Sequence, residues 1–239
     1  DLHFSPTVAN KQNLLKENVD EKNIFITGNT VIDALKSTVK ENYKFKDEYL
    51  NSVDFNAKKV ILMTAHRREN LGKPLENICS AVKEIVEKHS DVEVVYPVHL
   101  NPAVREVANK ILGGMDRVHL IEPLDVVDMH NAMHRCYMVM TDSGGLQEEA
   151  PSLGKPVIVL RTETERPEAV KAGTVIMGGI EKDVIVKYAA DLICDSEFYK
   201  KISKTANPYG DGTASKRTVD AILYHFGYLK ERPEDLKVD

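Results

Sequence analysis

The sequence contains no tryptophan, and aromatic residues make up only 6% of it. An aromatic platform for stacking sugars or bases is therefore not expected. Long apolar runs are also missing, since none reaches the ~18–20 residues that a membrane-spanning helix requires. We therefore expect no membrane partner.

Cysteine is scarce, and positive charge is not in excess. Cys79, Cys136 and Cys194 lie far apart and form no C-x-x-C pattern, which predicts neither a disulfide framework nor a zinc site. This usage is typical of the reducing cytoplasm. The 32 lysines and arginines against 37 aspartates and glutamates give a net charge of −5. That balance argues against a nucleic-acid partner, because nucleic-acid binders carry a basic face.

Short β-rich runs alternate with longer amphipathic segments along the 239 residues. Most of these runs are continuously apolar, which indicates strands buried on both faces of a parallel sheet. The predicted strands are 24–27, 60–64, 92–98, 118–121, 137–141, 157–160 and 174–177. The predicted helices are 6–17, 30–40, 75–89, 101–112, 126–135, 145–153, 182–194 and 214–229. Single helices between strands are typical of βαβ units, so we predict an α/β fold with a doubly wound parallel sheet.

A polar, irregular segment, 42–56, separates the first part of the chain from the main block, and we interpret it as an interdomain linker. The residues before it contain one predicted strand and two predicted helices. This is too little to bury a core alone, so they are interpreted as the tail end of a preceding domain. The first residue is Asp1 rather than Met, and we expect the chain to be a piece of a longer protein.

A glycine-rich turn follows the predicted strand 137–141. The sequence T-D-S-G-G-L-Q-E-E leads from that strand into a helix and contains Ser143, Gly144, Gly145 and Glu149. The two glycines let the backbone approach a ligand closely, and the free N–H groups at a helix start suit a phosphate. Glu149 lies about one helical turn in, within reach of a sugar hydroxyl. The alternative is a plain turn whose glycines serve tight packing.

Two other strand ends carry histidine or arginine. The sequence T-A-H-R-R-E-N contains His66 and Arg67, and Y-P-V-H-L-N-P contains His99. Arginine offers a fork for phosphate or carboxylate, and histidine titrates near neutral pH. The alternatives are a solvated loop in which the following glutamate pairs an arginine, and a histidine that caps or packs locally.

The stretch R-T-E-T-E-R-P-E follows the predicted strand 157–160 and contains Arg166. Its charges suit pyrophosphate binding through arginine or acid/base chemistry. The alternative is a salt-bridged surface loop that adds little to stability. His130 and His134 lie four residues apart on a predicted helix, but no third ligand accompanies them. We interpret both as structural and predict no metal site.

The chemistry-bearing side chains share one position in the fold. His66, His99, Ser143 and Arg166 each follow a predicted parallel strand. Because the carboxyl ends of parallel strands meet at one edge of a sheet, these side chains converge there. Convergent polar groups around a phosphate-binding turn predict a nucleotide or nucleotide-sugar site.

Taken together, the motifs identify a family. T-A-H-R-R-E-N, Y-P-V-H-L-N-P, T-D-S-G-G-L-Q-E-E-A-P-S-L-G-K-P-V and T-E-R-P-E, in this order, resemble the non-hydrolysing UDP-N-acetylglucosamine 2-epimerases. H-F-S-P-T near the start and P-Y-G-D-G-T-A-S-K-R near the end extend the resemblance over residues 1–224. It implies an isomerase with two Rossmann-like domains in the GT-B arrangement. The implied reaction interconverts UDP-N-acetylglucosamine and UDP-N-acetylmannosamine by elimination and re-addition of UDP, with no metal or redox cofactor.

The resemblance also implies roles for individual residues. His66 matches the family's active-site histidine. Arg67 and His99 match residues that, in bacterial members, contact a second UDP-N-acetylglucosamine acting as an allosteric activator. The positions that match the UDP-binding residues are Ser143, Gly144, Gly145, Glu149 and Arg166.

The resemblance further implies a domain plan. Residues 1–41 are the tail end of the N-terminal Rossmann-like domain, 57–206 the C-terminal UDP-binding Rossmann-like domain, and 207–239 a C-terminal helix that packs back towards the N-terminal domain. The family's acid/base carboxylates lie ahead of this segment, so we expect it to bind a UDP-sugar but to be inactive alone. The full-length protein is expected to be a cytoplasmic homodimer in cell-surface polysaccharide biosynthesis. The alternatives are a GT-B glycosyltransferase using a UDP-sugar and a stand-alone nucleotide-sugar-binding module.

Overall fold

Two units make up the chain in the computed structural model, which describes residues 1–237. Unit 1 combines Asp1–Thr38 with the segment that begins at Ala206, and unit 2 is Val39–Thr205. The segment 42–56, interpreted from the sequence as a linker, belongs to unit 2, and its Phe45 and Leu50 are buried. The assignment of residues 1–41, 42–56, 57–206 and 207–239 to parts of a two-domain protein stays a prediction.

Unit 1 is built on two parallel strands, β1 (His3–Ser5) and β2 (Ile24–Ile26). Helix α1 (Val8–Lys16) follows β1, and α2 (Thr30–Thr38) follows β2. A helix over Ala214–His225 belongs to the same unit. The sequence predicts a single strand in this region, which is wrong, because β1 is too short to show a periodic pattern.

Local chemistry fixes the ends of these unit 1 helices. Thr7 caps α1, its Oγ1 accepting from the N–H of Asn10, and such caps satisfy donors that the helix leaves free. The Asp33 carboxylate accepts from the N–H groups of Ala214 and Ser215 at 3.0 and 2.8 Å. The helix predicted over 214–229 ends at His225, since Gly227 adopts a left-handed φ of 79°.

The sheet of unit 2 contains six strands among the described residues, all parallel, and determines where the functional residues lie. They are β3 (Lys59–Thr64), β4 (Val92–Pro97), β5 (Val118–Ile121), β6 (Met138–Thr141), β7 (Val157–Val159) and β8 (Val175–Met177). Their order across the sheet is β5-β4-β3-β6-β7-β8. The helices of unit 2 are α3 (Lys73–Lys88), α4 (Pro102–Leu112), α5 (Val126–Arg135), α6 (Gly144–Ser152), α7 (Pro167–Ala172), α8 (Lys182–Cys194) and α9 (Ser196–Ser203).

The core of unit 2 lies between this sheet and its helices. Strands β6 and β7 are buried along their whole length, which confirms the interpretation of continuous apolar runs as central strands. Helix α3 buries one apolar face and packs against α4 and α8. Each fully buried Leu, Ile or Val of that face contributes ~1.5–3 kcal/mol. The buried positions of the face are Leu75, Ile78, Cys79, Ala81, Val82, Ile85 and Val86.

Two helices of unit 2 were not predicted from the sequence. Helix α7 lies within the charged stretch and is less than two turns long, beginning at Pro167 and ending at Ala172, with Gly173 as its C-cap in the left-handed region. Its charges concealed any apolar period. Helix α9 follows α8 after a single residue, Asp195, which caps it by accepting from the N–H groups of Glu197 and Phe198. The predicted helix 182–194 matches α8, and α9 was missed because its 8 residues are few for a visible period.

Candidate nucleotide-binding site

The loops after β3 and β6 lie side by side at the carboxyl edge of the sheet. Strands β3 and β6 are direct neighbours, and the strand order runs outward from them in both directions. In a doubly wound sheet, the connections leave such a pair towards opposite faces, which opens a crevice at the carboxyl ends. The H-R-R-E-N sequence follows β3 and the D-S-G-G sequence follows β6. The topology therefore provides the crevice that the sequence analysis expects.

Asp142 fastens these two loops together. Its side chain is fully buried, and its Oδ2 accepts from the backbone N–H groups of His66 at 2.8 Å and Arg67 at 2.7 Å. The same oxygen accepts from Nδ2 of Asn70 at 3.0 Å, and this amide also donates to the carbonyl of Leu160. Bonds between an ionised acceptor and several donors are among the stronger ones in proteins. They hold His66 and Arg67 at the edge of the crevice.

The start of α6 offers unused donors. Ser143 is the residue before the helix, and its side chain makes no capping hydrogen bond. Its backbone N–H donates to Oγ1 of Thr141 at 2.9 Å, which fixes the turn. The first N–H groups of a helix have no partner within the helix, and the helix dipole favours an anion there.

Two guanidinium groups lie over this helix start. A Cβ atom added at Gly144 would lie 3.6 Å from Nη2 of Arg166 and 3.8 Å from Nη2 of Arg67. Arg166 comes from the start of α7 and Arg67 from the loop after β3. Two forked cations above a helix N-terminus form an arrangement suited to a diphosphate.

Arg166 is held in place by an acidic neighbour. Its Nε donates to Oε1 of Glu148, a side chain on α6 that is only 5% exposed. Its Nη1 donates to the carbonyl of Glu165 at 3.2 Å, and its backbone N–H donates to Oγ1 of Thr164. These bonds orient the fork and leave Nη2 near Gly144.

Two other charged residues of the R-T-E-T-E-R-P-E stretch, Arg161 and Glu165, form a separate structural cluster with Glu69. Arg161 is 8% exposed, and its guanidinium bridges the carboxylates of Glu69 and Glu165. Hydrogen bonds from Arg161 lower the pKa of Glu165 to about 2. The salt-bridged loop that the sequence leaves open as an alternative therefore describes Arg161, whereas Arg166 lies at the crevice.

Glu149 lies on α6 beyond the glycines and has a buried partner. Its Oε2 lies 3.1 Å from Nε2 of His130, whose side chain is 2% exposed. Its Oε1 would lie 3.1 Å from a Cβ added at Gly145. A larger residue at 145 would thus displace this carboxylate, which explains why glycine suits the position.

His66 and His99 stack against each other, with ring centroids 5.2 Å apart and an interplanar angle of 22°. The N–H of Asn101 donates to Nδ1 of His99 at 3.1 Å. Next to His66, the carbonyl of Ala65 accepts from the fully buried hydroxyl of Tyr96 at 2.7 Å. This bond joins the end of β4 to the residue that precedes His66.

The structure thus brings the sequence-predicted residues to one edge of one unit, where their assigned roles stay predictions. Three residues of this site were not predicted from the sequence: Asp142, Glu148 and His130. The interpretation of His130 as merely structural overlooked its contact with Glu149. Of these three residues, only Asp142 could have been found from the sequence, because it is a carboxylate at a strand end just before Ser143 and two glycines.

Residues 1–237 contain no group of three or more His, Cys, Asp or Glu able to hold a metal ion, and no helix among them is long and apolar enough to cross a membrane.

A parallel sheet in this order, with a crevice at the carboxyl ends of β3 and β6, defines a Rossmann-like α/β fold. The family model described as UDP-N-acetylglucosamine 2-epimerase matches residues 1–223. The chain belongs to the UDP-N-acetylglucosamine 2-epimerase family. This confirms the resemblance found in the sequence motifs.

Individual relatives agree with this assignment. The Bacillus subtilis UDP-N-acetylglucosamine 2-epimerase is 56% identical over 234 residues, which are 98% of this chain and 60% of the relative. S. aureus MnaA, solved with UDP, is 51% identical with a TM-score of 0.93, and the match covers 99% of this chain and 64% of that one. The Neisseria meningitidis UDP-GlcNAc 2-epimerase, solved bound to UDP-GlcNAc, is 44% identical with a TM-score of 0.86 over 93% of this chain and 61% of that one.

The matches cover nearly all of this chain but only part of each relative. The chain spans about three fifths of the length of the curated relatives it matches, 61% and 60% for two of them. The predicted fold class is confirmed, since the neighbours are UDP-N-acetylglucosamine 2-epimerases with an α/β Rossmann-like fold of the GT-B type. The activity, substrate and partners are properties of the whole protein, of which this chain matches about three fifths in the relatives.

Proposed function

We propose that this chain binds the uridine diphosphate part of a UDP-sugar and that the intact protein is an isomerase interconverting UDP-N-acetylglucosamine and UDP-N-acetylmannosamine. One observation carries the proposal: the guanidinium groups of Arg67 and Arg166 lie over Gly144 at the start of α6. Family membership and the ligands named for the S. aureus and N. meningitidis proteins support the choice of UDP.

The proposed chemistry needs negative charge to be stabilised on a leaving diphosphate. In the elimination, the bond from C1 of the sugar to the diphosphate breaks as the C2 proton leaves, giving a 2-acetamidoglucal. Re-addition of UDP with a proton on the other face of C2 gives the epimer. Donors fixed before the reaction stabilise such charge best. In this proposal Arg166, the hydroxyl of Ser143 and the N–H groups of Gly144 and Gly145 hold the diphosphate, and His66 adjoins the bond that breaks.

The other residues of the site have roles in the same proposal. Glu149 accepts from a ribose hydroxyl, because one carboxylate oxygen is engaged by His130 and the other lies beside Gly145. Arg67 and His99 contact a second UDP-N-acetylglucosamine that activates the enzyme. The proposed reaction needs no redox cofactor, since elimination and re-addition change no oxidation state overall, and the proposal assigns no step to a metal ion.

The wider biology is part of the same proposal. The intact protein is proposed to be a cytoplasmic homodimer that supplies cell-surface polysaccharide biosynthesis, without a nucleic-acid or membrane partner. The 239-residue segment alone is proposed to bind UDP without turnover, because it spans about three fifths of its relatives and the resemblance assigns the acid/base carboxylates to the remaining part.

Isothermal titration of the 239-residue chain with UDP and with AMP tests the nucleotide site. We expect binding of UDP and not of AMP, and its loss in Arg166→Ala. Lys88→Ala is the matched control, because Lys88 forms an ion pair with Glu84 near the end of α3 that leads into β4, at the opposite end of the strands from the crevice, and should leave the affinity unchanged. Failure of the folded chain to bind UDP, or equal loss in both variants, would contradict the proposal. With the intact protein and UDP-N-acetylglucosamine, formation of UDP-N-acetylmannosamine separates an epimerase from a glycosyltransferase.

A further inference from the structure

One oxygen of the buried Asp142 carboxylate has no hydrogen-bond partner in residues 1–237. Its Oδ2 accepts from three donors, the backbone N–H groups of His66 and Arg67 and the amide of Asn70. Its Oδ1 is fully enclosed and accepts none. A buried acceptor without a partner costs ~1–3 kcal/mol, so native proteins keep few of them.

The group that faces this oxygen is the imidazole of His66. Nε2 of His66 lies 3.9 Å from Oδ1 of Asp142. A shift of about 1 Å would bring the two atoms to hydrogen-bond distance. The ring also stacks on His99, so it has a neighbour on its face and a carboxylate at its edge. The other charged groups around it are Arg67 on the same loop and Arg166, which meets Arg67 over Gly144.

Holding the loop does not by itself require a carboxylate. The three donors converge on Oδ2, and an asparagine would present one carbonyl oxygen to the same donors. Only Oδ1, directed at His66, would differ between the two side chains. The choice of aspartate therefore points to a role towards the imidazole.

We propose that Asp142 is a positioning residue that sets the tautomer and ring orientation of His66. After a movement of about 1 Å, with or without a ligand in the crevice, its Oδ1 accepts from Nε2–H of His66. This keeps the proton on Nε2 and leaves Nδ1 as the nitrogen available to substrate. A carboxylate that orients a histidine in this way is known from hydrolase triads. The proposal rests on the proposed function for the identity of the substrate, while the contact itself does not depend on it.

Asp142→Asn tests the contact because it replaces one carboxylate oxygen, which accepts a hydrogen bond, by an NH2 group, which donates one. The loop donors require the amide oxygen at the Oδ2 position, so the NH2 group must occupy the Oδ1 position and donate to His66. Long-range 1H–15N correlation spectra of neutral His66, assigned with His66→Gln, report which nitrogen carries the proton. We expect the proton on Nε2 in the wild-type chain and on Nδ1 in Asp142→Asn.

The matched control is Asp128→Asn. Asp128 is 3% exposed and also accepts several hydrogen bonds, but its donors, Tyr43 and the N–H of Lys46, belong to the segment 42–56 and not to the loop that carries His66. It should leave the His66 tautomer unchanged. The same tautomer in wild type and Asp142→Asn would overturn the proposal. If Asp142→Asn fails to fold, the wild-type spectrum alone decides, since a proton on Nδ1 of His66 contradicts the contact.

Activity of the intact enzyme provides the second readout. Asp142→Asn should lower kcat on the order of 10²-fold while changing KM little. The reason is that Nδ1, the nitrogen offered to substrate, then carries a proton instead of a free lone pair, while the hydrogen bonds to Oδ2 that hold the loop are kept. A merely structural role would instead raise KM and lower the melting temperature together, which would count against positioning. Titration with UDP keeps the two proposals apart: a wild-type chain that shows the Nε2 tautomer but binds no UDP overturns the nucleotide site and not the Asp142–His66 contact.

Discussion

His130 on α5 holds the carboxylate of Glu149 on α6 from inside unit 2. Nε2 of His130 lies 3.1 Å from Oε2 of Glu149, and the two side chains are 2% and 13% exposed. A buried hydrogen bond to a carboxylate restricts its rotation. Oε1 is consequently held beside Gly145 at the start of the helix, where we propose that it meets a ribose hydroxyl.

Replacing His130 should weaken nucleotide binding through Glu149. We expect His130→Ala to lower the affinity of the chain for UDP by about tenfold, which corresponds to ~1.4 kcal/mol. The loss should be much smaller for 2′,3′-dideoxy-UDP, because that ligand has no ribose hydroxyl for Glu149. Isothermal titration measures both.

His134→Ala is the control for this prediction. It lies one turn further along α5 and is exposed, so UDP should bind to this variant as to the wild type. An unchanged affinity of His130→Ala for UDP, or an equal loss for both ligands, would show that the pair does not position Glu149.

Glu148 should matter for UDP affinity without touching the ligand. It accepts from Nε of Arg166 and is buried, so its removal frees the guanidinium to leave the start of α6. We expect Glu148→Ala to weaken UDP binding several-fold, by about 1 kcal/mol. Glu106→Ala, at an exposed position of α4, is the control and should have no effect. Tighter binding in Glu148→Ala would instead mean that the negative charge of Glu148 opposes the diphosphate.

Much of unit 2 could be predicted from the sequence because its strands are continuously apolar. The apolar runs that include Ile61, Val139 and Ile158 are buried in the structure, and a polar turn follows each of them. Parallel strands collect such turns at one edge. This reasoning brought His66 and Ser143 together without any knowledge of contacts.

The supporting contacts could not be predicted in the same way. Asp142 accepts from backbone N–H groups of a loop 75 and 76 residues away, and every residue except proline offers such a donor. The pairing of Glu149 with His130 depends on how α5 and α6 pack, which no periodic pattern encodes. Within a run of charged residues, the sequence does not show that Arg161 forms ion pairs with two glutamates whereas Arg166 lies at the start of α6. Short elements such as β1 and α7 fall below the length at which a period is visible.

Tyr96 should stabilise the loop that carries His66. Its hydroxyl is fully buried and donates to the carbonyl of Ala65 at 2.7 Å, and burial raises its pKa, so it stays a donor. Tyr96→Phe leaves that carbonyl without this partner. We expect the free energy of unfolding in urea to fall by ~1–3 kcal/mol, with weaker UDP binding.

Tyr137→Phe is the comparison for Tyr96. The Tyr137 hydroxyl donates to the carbonyl of Leu192 at 2.8 Å, but it is only partly buried and lies at the other end of the strands. We expect a smaller loss of stability and unchanged UDP affinity. Equal effects of the two variants on UDP binding would remove the link between Tyr96 and the site.

The ion pair of Glu165 with Arg161 should make stability depend on pH in the acid range. Hydrogen bonds from Arg161 lower the pKa of Glu165 from 4.5 to about 2 in the folded chain. A lowered folded pKa contributes stability above the unfolded value and loses it as pH falls towards the folded value. The difference in free energy of unfolding between wild type and Glu165→Gln should therefore be constant from about pH 7 to 5 and shrink below about pH 4.5.

This difference should be modest at every pH, because Glu165 is 53% exposed and solvent screens the pair. Urea unfolding at each pH measures it, with Glu163→Gln as control, since Glu163 forms no ion pair within residues 1–237. A difference that persists undiminished to about pH 3 would mean that Glu165 stabilises the loop by contacts other than its charge.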